Sequence, residues 1–287
     1  MIRFVLILAI LLAGCDSSGS NDAPDPASIQ KSPKRGLAYN LTHPADFDAL
    51  KEGVSWWYNW HFETSAASGY ETAYQMDFIP MLWGGDTSDS DMARVKAFIL
   101  AHPDVEYLLV MNEPNLRDQA DRTPAQAATD WVRYEQVVAE LAAQGRDIKI
   151  VGPAMTWGTM LGYADPVRWM DDFLAYYRAA NDGRDPQIDY LAFHWYDYGL
   201  ESQLDRLAKY GKPIWVTEMA NWNSQINSYD KQAEQMRHMV AMLESRNDVF
   251  RYAWFIGRGF DGRYTNLLND DPGALSALGE QYVSLPY

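Results

Sequence analysis

Tyr107-Leu108-Leu109-Val110-Met111-Asn112-Glu113-Pro114 and Pro213-Ile214-Trp215-Val216-Thr217-Glu218 are built alike: a short apolar run that ends on a carboxylate. Short apolar runs of this kind read as buried strands, and strands buried on both faces belong to parallel sheets covered by helices. An ionised carboxylate is costly in apolar surroundings, so each glutamate is expected to leave its strand into a solvated cleft or to meet a partner. The competing reading of either one is a salt bridge capping the sheet.

Working outward, six more runs look the same. The predicted strands are 36–40, 55–59, 78–83, 107–112, 148–153, 190–194, 214–218 and 252–256. Helical stretches alternate with them, among them 91–101, 124–144, 166–180, 204–210 and 229–245. Thr123-Pro124 and Asp165-Pro166 mark starts, a capping residue followed by proline in the first turn. Gly145, Gly183 and Gly211 mark stops. Eight βα repeats without a hairpin signal predict an α/β chain folded as a single (β/α)8 TIM barrel over residues 35–287. A doubly wound open sheet is the competing fold, but no Gly-rich phosphate loop follows the first strand.

The amino terminus reads differently. Residues 1–14 carry one positive charge at Arg3, an apolar run from Phe4 to Leu12 and a small-residue exit, the pattern of a secretory signal. Leu12-Ala13-Gly14-Cys15 resembles the bacterial lipobox, which implies lipid attachment at Cys15 and an exported lipoprotein of the cell envelope. Cys15 is the chain's one cysteine, so no internal disulfide is expected. Residues 15–34, rich in Ser, Asp, Gly, Pro and Ala, read as a flexible tether. The expected membrane contact is this lipid alone, on a monomer. A net charge of −15 argues against nucleic acid, whose phosphates demand a basic face.

In a (β/α)8 barrel the functional groups sit at the C-terminal strand ends. Those ends hold Asn40, Asn59-Trp60, Trp83, Asn112-Glu113, Met155 to Trp157, His194 to Tyr196, Glu218 and Trp254. The convergence predicts an aromatic-lined cleft with two carboxylates facing each other from strands four and seven. Trp60, Trp83, Trp157, Trp222 and Trp254 are candidate stacking platforms for sugar rings, with ordinary packing as the alternative for some of them. Two carboxyl groups flanking one bond suit glycoside cleavage, in which one donates a proton and the other attacks or directs water.

Asn112-Glu113-Pro114 at the end of strand four, with a second glutamate ending strand seven, resembles clan A of the retaining glycoside hydrolases. A longer ordered set is similar to glycoside hydrolase family 128, which acts on β-1,3-glucans: Trp56 to Trp60, Phe78 to Gly84, Asn112 to Asn115, Gly152 to Ala154, Phe193 to Tyr196 and Ile214 to Glu218. The resemblance implies a retaining endo-β-1,3-glucanase with Glu113 as acid/base, Glu218 as nucleophile and Asn112 as partner of the sugar 2-hydroxyl. Carboxyl groups ~5–5.5 Å apart are then expected. The acid should sit in a less polar environment and the nucleophile should have hydrogen-bond donors, with His194 and Tyr196 as suppliers. His194 as a satisfied structural histidine is the other reading. The alternatives in function are a clan A enzyme on mannan or cellulose and a polysaccharide-binding barrel without catalysis. The five histidines show no pair at ligand spacing, so no metal and no cofactor is expected. Asp86 to Asp91 lacks the glycine and terminal glutamate of a calcium loop and reads as a solvated helix entry.

Overall fold

The computed structural model describes residues 29–259 and 262–287. The predicted signal, Cys15 and most of the predicted tether lie outside the described residues. Among the described residues nine strands form one sheet: β1 (Arg35–Ala38), β2 (Trp56–Tyr58), β3 (Asp77–Phe78), β4 (Met81–Leu82), β5 (Tyr107–Val110), β6 (Lys149–Met155), β7 (Tyr190–Trp195), β8 (Ile214–Met219) and β9 (Val249–Trp254). Every pairing is parallel, in the order β3-β2-β1-β9-β8-β7-β6-β5-β4, so the sheet is an α/β curl whose strand ends gather on one side.

Nine pieces stand where eight strands were predicted, because run 78–83 is broken. Pro80 has no N–H to give a ladder, so the run divides. β3 pairs with β2, and β4 pairs with β5.

The crossovers carry α1 (Pro44–Leu50), α2 (Tyr70–Ala73), α3 (Asp89–Ala101), α4 (Pro124–Ala142), α5 (Pro166–Ala180), α6 (Leu200–Leu207) and α7 (Tyr229–Ser245), and α8 (Ala277–Ser284) follows the last strand. The predicted start signals act as such. Thr123 and Gln126 form a capping box on α4, and the Asp165 side chain caps α5. The helix predicted over 204–210 starts earlier, at Leu200, and ends in a 3-10 turn before Gly211.

Period-two alternation separates two layers. Leu37, Trp57, Leu108, Val110, Phe193 and Val216 pack with helix residues on the outer face. Ala38, Trp56, Tyr58, Leu109, Ala192 and Trp215 pack among themselves in the hollow of the curl.

The end of the predicted tether belongs to this body. The Lys31 ammonium donates to the carbonyls of Val54 (2.7 Å) and Tyr74 (3.0 Å), and Ser32 is buried. The polar composition of residues 29–34 concealed those contacts. Among the described residues no helix is long and apolar enough to cross a membrane.

Candidate active site

A cleft of about 960 Å³ opens over the C-terminal strand ends, lined in part by Trp60, Trp83, Asn112, Glu113, Trp157, Tyr196, Glu218 and Trp222. Its two glutamates come from strands that depart from regular geometry.

At the end of β5, Met111 (φ 61°) and Glu113 (φ 45°) both adopt left-handed backbone. That conformation is costly for residues with a Cβ and persists where neighbours hold it. Here the Met111, Asn112 and Glu113 N–H groups donate to the carbonyls of Leu82, Trp83 and Ala154, each at 2.8 Å. Adjacent strand residues normally face opposite ways. The two left-handed steps turn Asn112 and Glu113 together into the cleft.

At β8 the device is a bulge. Phe193 pairs with Val216, but the next residue, His194, pairs with Glu218, so Thr217 is the extra residue. Regular alternation from Trp215 would put Thr217 beside His194; the bulge presents Glu218 instead.

The buried His194 ring joins the two carboxylates. Its Nδ1 lies 2.8 Å from Glu113 Oε1 and 3.3 Å from Glu218 Oε2. Where the facing carboxyl oxygens carry no proton they only accept, and Nδ1 is then the nitrogen that donates. One oxygen of Glu113, one of Glu218 and a ring nitrogen of His194 all lie within 4.8 Å of one another. That spacing could also hold a metal ion, through one histidine and two carboxylates distant in sequence rather than through a histidine pair. The cluster's atoms are engaged with each other and with three further donors on Glu218. Tyr58 Oη (2.9 Å) and Trp60 Nε1 (2.7 Å) donate to Oε1, and the Tyr196 hydroxyl donates to Oε2.

Burial raises the Glu218 carboxyl above the usual carboxylate range. The His194 charge opposes that rise, the Glu113 charge adds to it, and the Tyr196 and Trp60 hydrogen bonds oppose it. Burial alone would lower His194, but the Glu218 charge, the bond to Glu113 and its charge lift it above its ordinary value. Burial first, then the Glu218 charge, raises Tyr58 and Tyr196 well above the ordinary phenol value, so both hydroxyls remain donors. Glu218 is therefore a buried carboxyl ringed by donors, with a proton-bearing histidine between it and Glu113.

The predicted platforms divide. Trp83 (37% exposed) and Trp157 (57% exposed) offer open ring surface in the cleft, and Trp222 stacks on Tyr196 at 3.8 Å between ring centroids. Trp60 serves Glu218 through its N–H. Trp254 is a correction. It shares the outward parity of its partner Leu37, is fully buried, donates to the Thr265 carbonyl and packs on Tyr282. Phe255 and Ile256, just beyond it, line the cleft instead. Asn40 is exposed outside the cleft, and its Oδ1 accepts from Asn59. Tyr58 was missed as a site residue, although its parity with Trp56 marks it as inward.

The sequence profile described as "Glycosyl hydrolase catalytic core" matches residues 36–282. Alkali-sensitive linkage protein 1 of Schizosaccharomyces pombe is 30% identical over 267 residues, covering 88% of this chain. The chain spans only 44% of the length of that curated relative. A GH128 (subgroup II) endo-β-1,3-glucanase from Pseudomonas viridiflava is 54% identical, with a TM-score of 0.84, over 90% of this chain and 100% of that one. Its counterpart from Sorangium cellulosum is 33% identical, with a TM-score of 0.75, over 88% and 98%.

Proposed function

We propose, from the premise that this chain belongs to the glycosyl hydrolase catalytic core and within it to glycoside hydrolase family 128, that this glycoside hydrolase cleaves internal bonds of β-1,3-glucan with retention of configuration. The observation that carries the reading is the pair of carboxylates, joined through His194 and with one oxygen of each within 4.8 Å, in an aromatic cleft. Retaining pairs stand ~5–5.5 Å apart and inverting pairs ~6.5–9.5 Å, because inversion must leave room for water. Glu113 protonates the departing sugar oxygen while Glu218 attacks the anomeric carbon. Glu113 then takes the proton of the water that releases the glycosyl-enzyme. Asn112 binds the 2-hydroxyl, and Trp83 and Trp157 carry neighbouring sugar rings.

The test is release of reducing ends from laminarin, lichenan, mannan and carboxymethyl cellulose. Laminarin should be the best substrate, yielding a ladder of oligosaccharides whose first-formed anomer is β by NMR. Preferred cleavage of mannan or cellulose would overturn the glucan assignment, and an initial α-anomer would overturn retention.

The sheet closes as a (β/α)8 barrel across Ile79–Pro80. This is supported by Ile79 N–H donating to Trp57 O on one side and Leu109 N–H donating to Pro80 O on the other, both at 3.0 Å. The chain is an exported monomer anchored through lipid on Cys15, supported by Leu12-Ala13-Gly14-Cys15 after an apolar run. Expressed in a Gram-negative host, the Cys15→Ser protein should leave the membrane fraction and stay active. Retention of that variant on the membrane would refute the anchor.

A further inference from the structure

We propose that Asn115 is a positioning residue, fixing Trp157 over the cleft relative to Glu113. The proposal rests on the reading above that Trp157 carries a sugar ring.

Asn115 is wholly buried and does not line the cleft, so it cannot touch a glycan there itself. Every polar atom of it except the backbone N–H is turned to the connection between β6 and α5, which carries Trp157. Its Nδ2 donates to the carbonyls of Thr156 (2.5 Å) and Tyr163 (3.4 Å), and its Oδ1 accepts from the Thr156 N–H (3.4 Å). Its backbone carbonyl accepts from the N–H groups of Thr159 and Met160, both at 3.0 Å. One residue thus ties the start, the middle and the far side of this loop. A buried amide that satisfies backbone groups of another segment is expensive to remove, because those groups then lack partners.

The loop is also pressed onto Asn115. Gly158 follows Trp157, and a Cβ there would stand 2.5 Å from the Asn115 and Tyr163 carbonyl oxygens, closer than real Cβ atoms come. On its other side Asn115 is joined to Glu113 through Pro114, whose ring restricts φ. The Glu113 N–H is bonded to Ala154 O at the end of β6, two residues before Thr156. Acid and loop therefore form one closed circuit, with Asn115 as the link that is neither.

A double-mutant cycle with amide hydrogen exchange tests this. Asn115→Ala and Trp157→Ala should each raise KM for long laminari-oligosaccharides on the order of tenfold while changing kcat far less, as expected for lost orientation of a binding group. The double variant should be no worse than the worse single one, because both changes remove the same contact. Exchange over residues 156–163 should rise in Asn115→Ala and stay unchanged in Trp157→Ala. Gly158→Ala, which keeps Asn115, should reproduce both the KM and the exchange change and serves if Asn115→Ala does not fold. Multiplying KM effects in the double variant, or unchanged exchange over 156–163 in both loop variants, would overturn the proposal. If Trp157→Ala alone leaves KM unchanged, the glycan-binding reading of Trp157 fails, and exchange still decides whether Asn115 holds the loop.

Discussion

Glu218→Ala should leave no measurable turnover of any glycan or aryl glycoside, a fall in kcat on the order of 10⁴-fold or more, the scale seen when a covalent nucleophile is removed. On the proposed retaining mechanism both chemical steps would pass through a Glu218 oxygen, so a better leaving group should not compensate. The loss is also electrostatic: Tyr58, Trp60 and Tyr196 all aim donors at Glu218, and without the carboxylate they face the reacting carbon with nothing to hold. Azide occupies the vacated face and should restore slow turnover of an activated aryl glycoside as the α-glycosyl azide, identified by NMR. A β-azide from this variant would exchange the two roles, and substantial unrescued activity would remove Glu218 from the mechanism.

Glu113→Ala should behave in the opposite way. Polysaccharide hydrolysis should fall by on the order of 10²–10⁴-fold, the usual contribution of general acid–base catalysis. An aryl glycoside with a good leaving group needs no proton, so its first step is spared and the aryl alcohol appears in a burst. The glycosyl-enzyme then stalls, since no base activates water. Azide, which needs no base, should release it as the β-azide. Mass spectrometry of intact protein should show the trapped sugar before azide and free enzyme after it. Absence of both burst and adduct would deny Glu113 its assigned place.

The sequence exposed the fold's spacing better than its local turns. Apolar runs and proline- or glycine-marked helix ends locate the strands and crossovers, and the two glutamates stand out as carboxylates ending apolar runs. What alternation cannot tell is where it is interrupted. Nothing in Val216-Thr217-Glu218 announces a bulge, and nothing in Met111-Asn112-Glu113 announces two left-handed residues, yet these turn the side chains into the cleft. Trp254 fails for the mirror-image reason: β9 is regular there, so its last residue keeps the outward face of Leu37. Pro80 inside the run 78–83 did carry a signal for the break, because a ladder there lacks one donor. Tyr58 was legible too, since Trp56 and Tyr58 share a face and the inner layer is made from that face.

The pairing of β1 with both β2 and β9 bears on how the domain comes together in time. One edge of β1 finds its partner across a short crossover. The other waits for residues 217 positions away, where Arg35 meets the Tyr252 hydroxyl. Loop closure over such a span costs entropy before any contact repays it, so local βα units are expected to form early and this join late. Interactions that form after the folding barrier weigh on the rate of opening and little on the rate of assembly. Arg35 binds Tyr252, Glu244 and the carbonyls of Tyr282, Leu285 and Pro286, so Arg35→Ala is expected to hasten opening of the folded domain far more than it slows assembly, as the two arms of a denaturant-jump experiment would show.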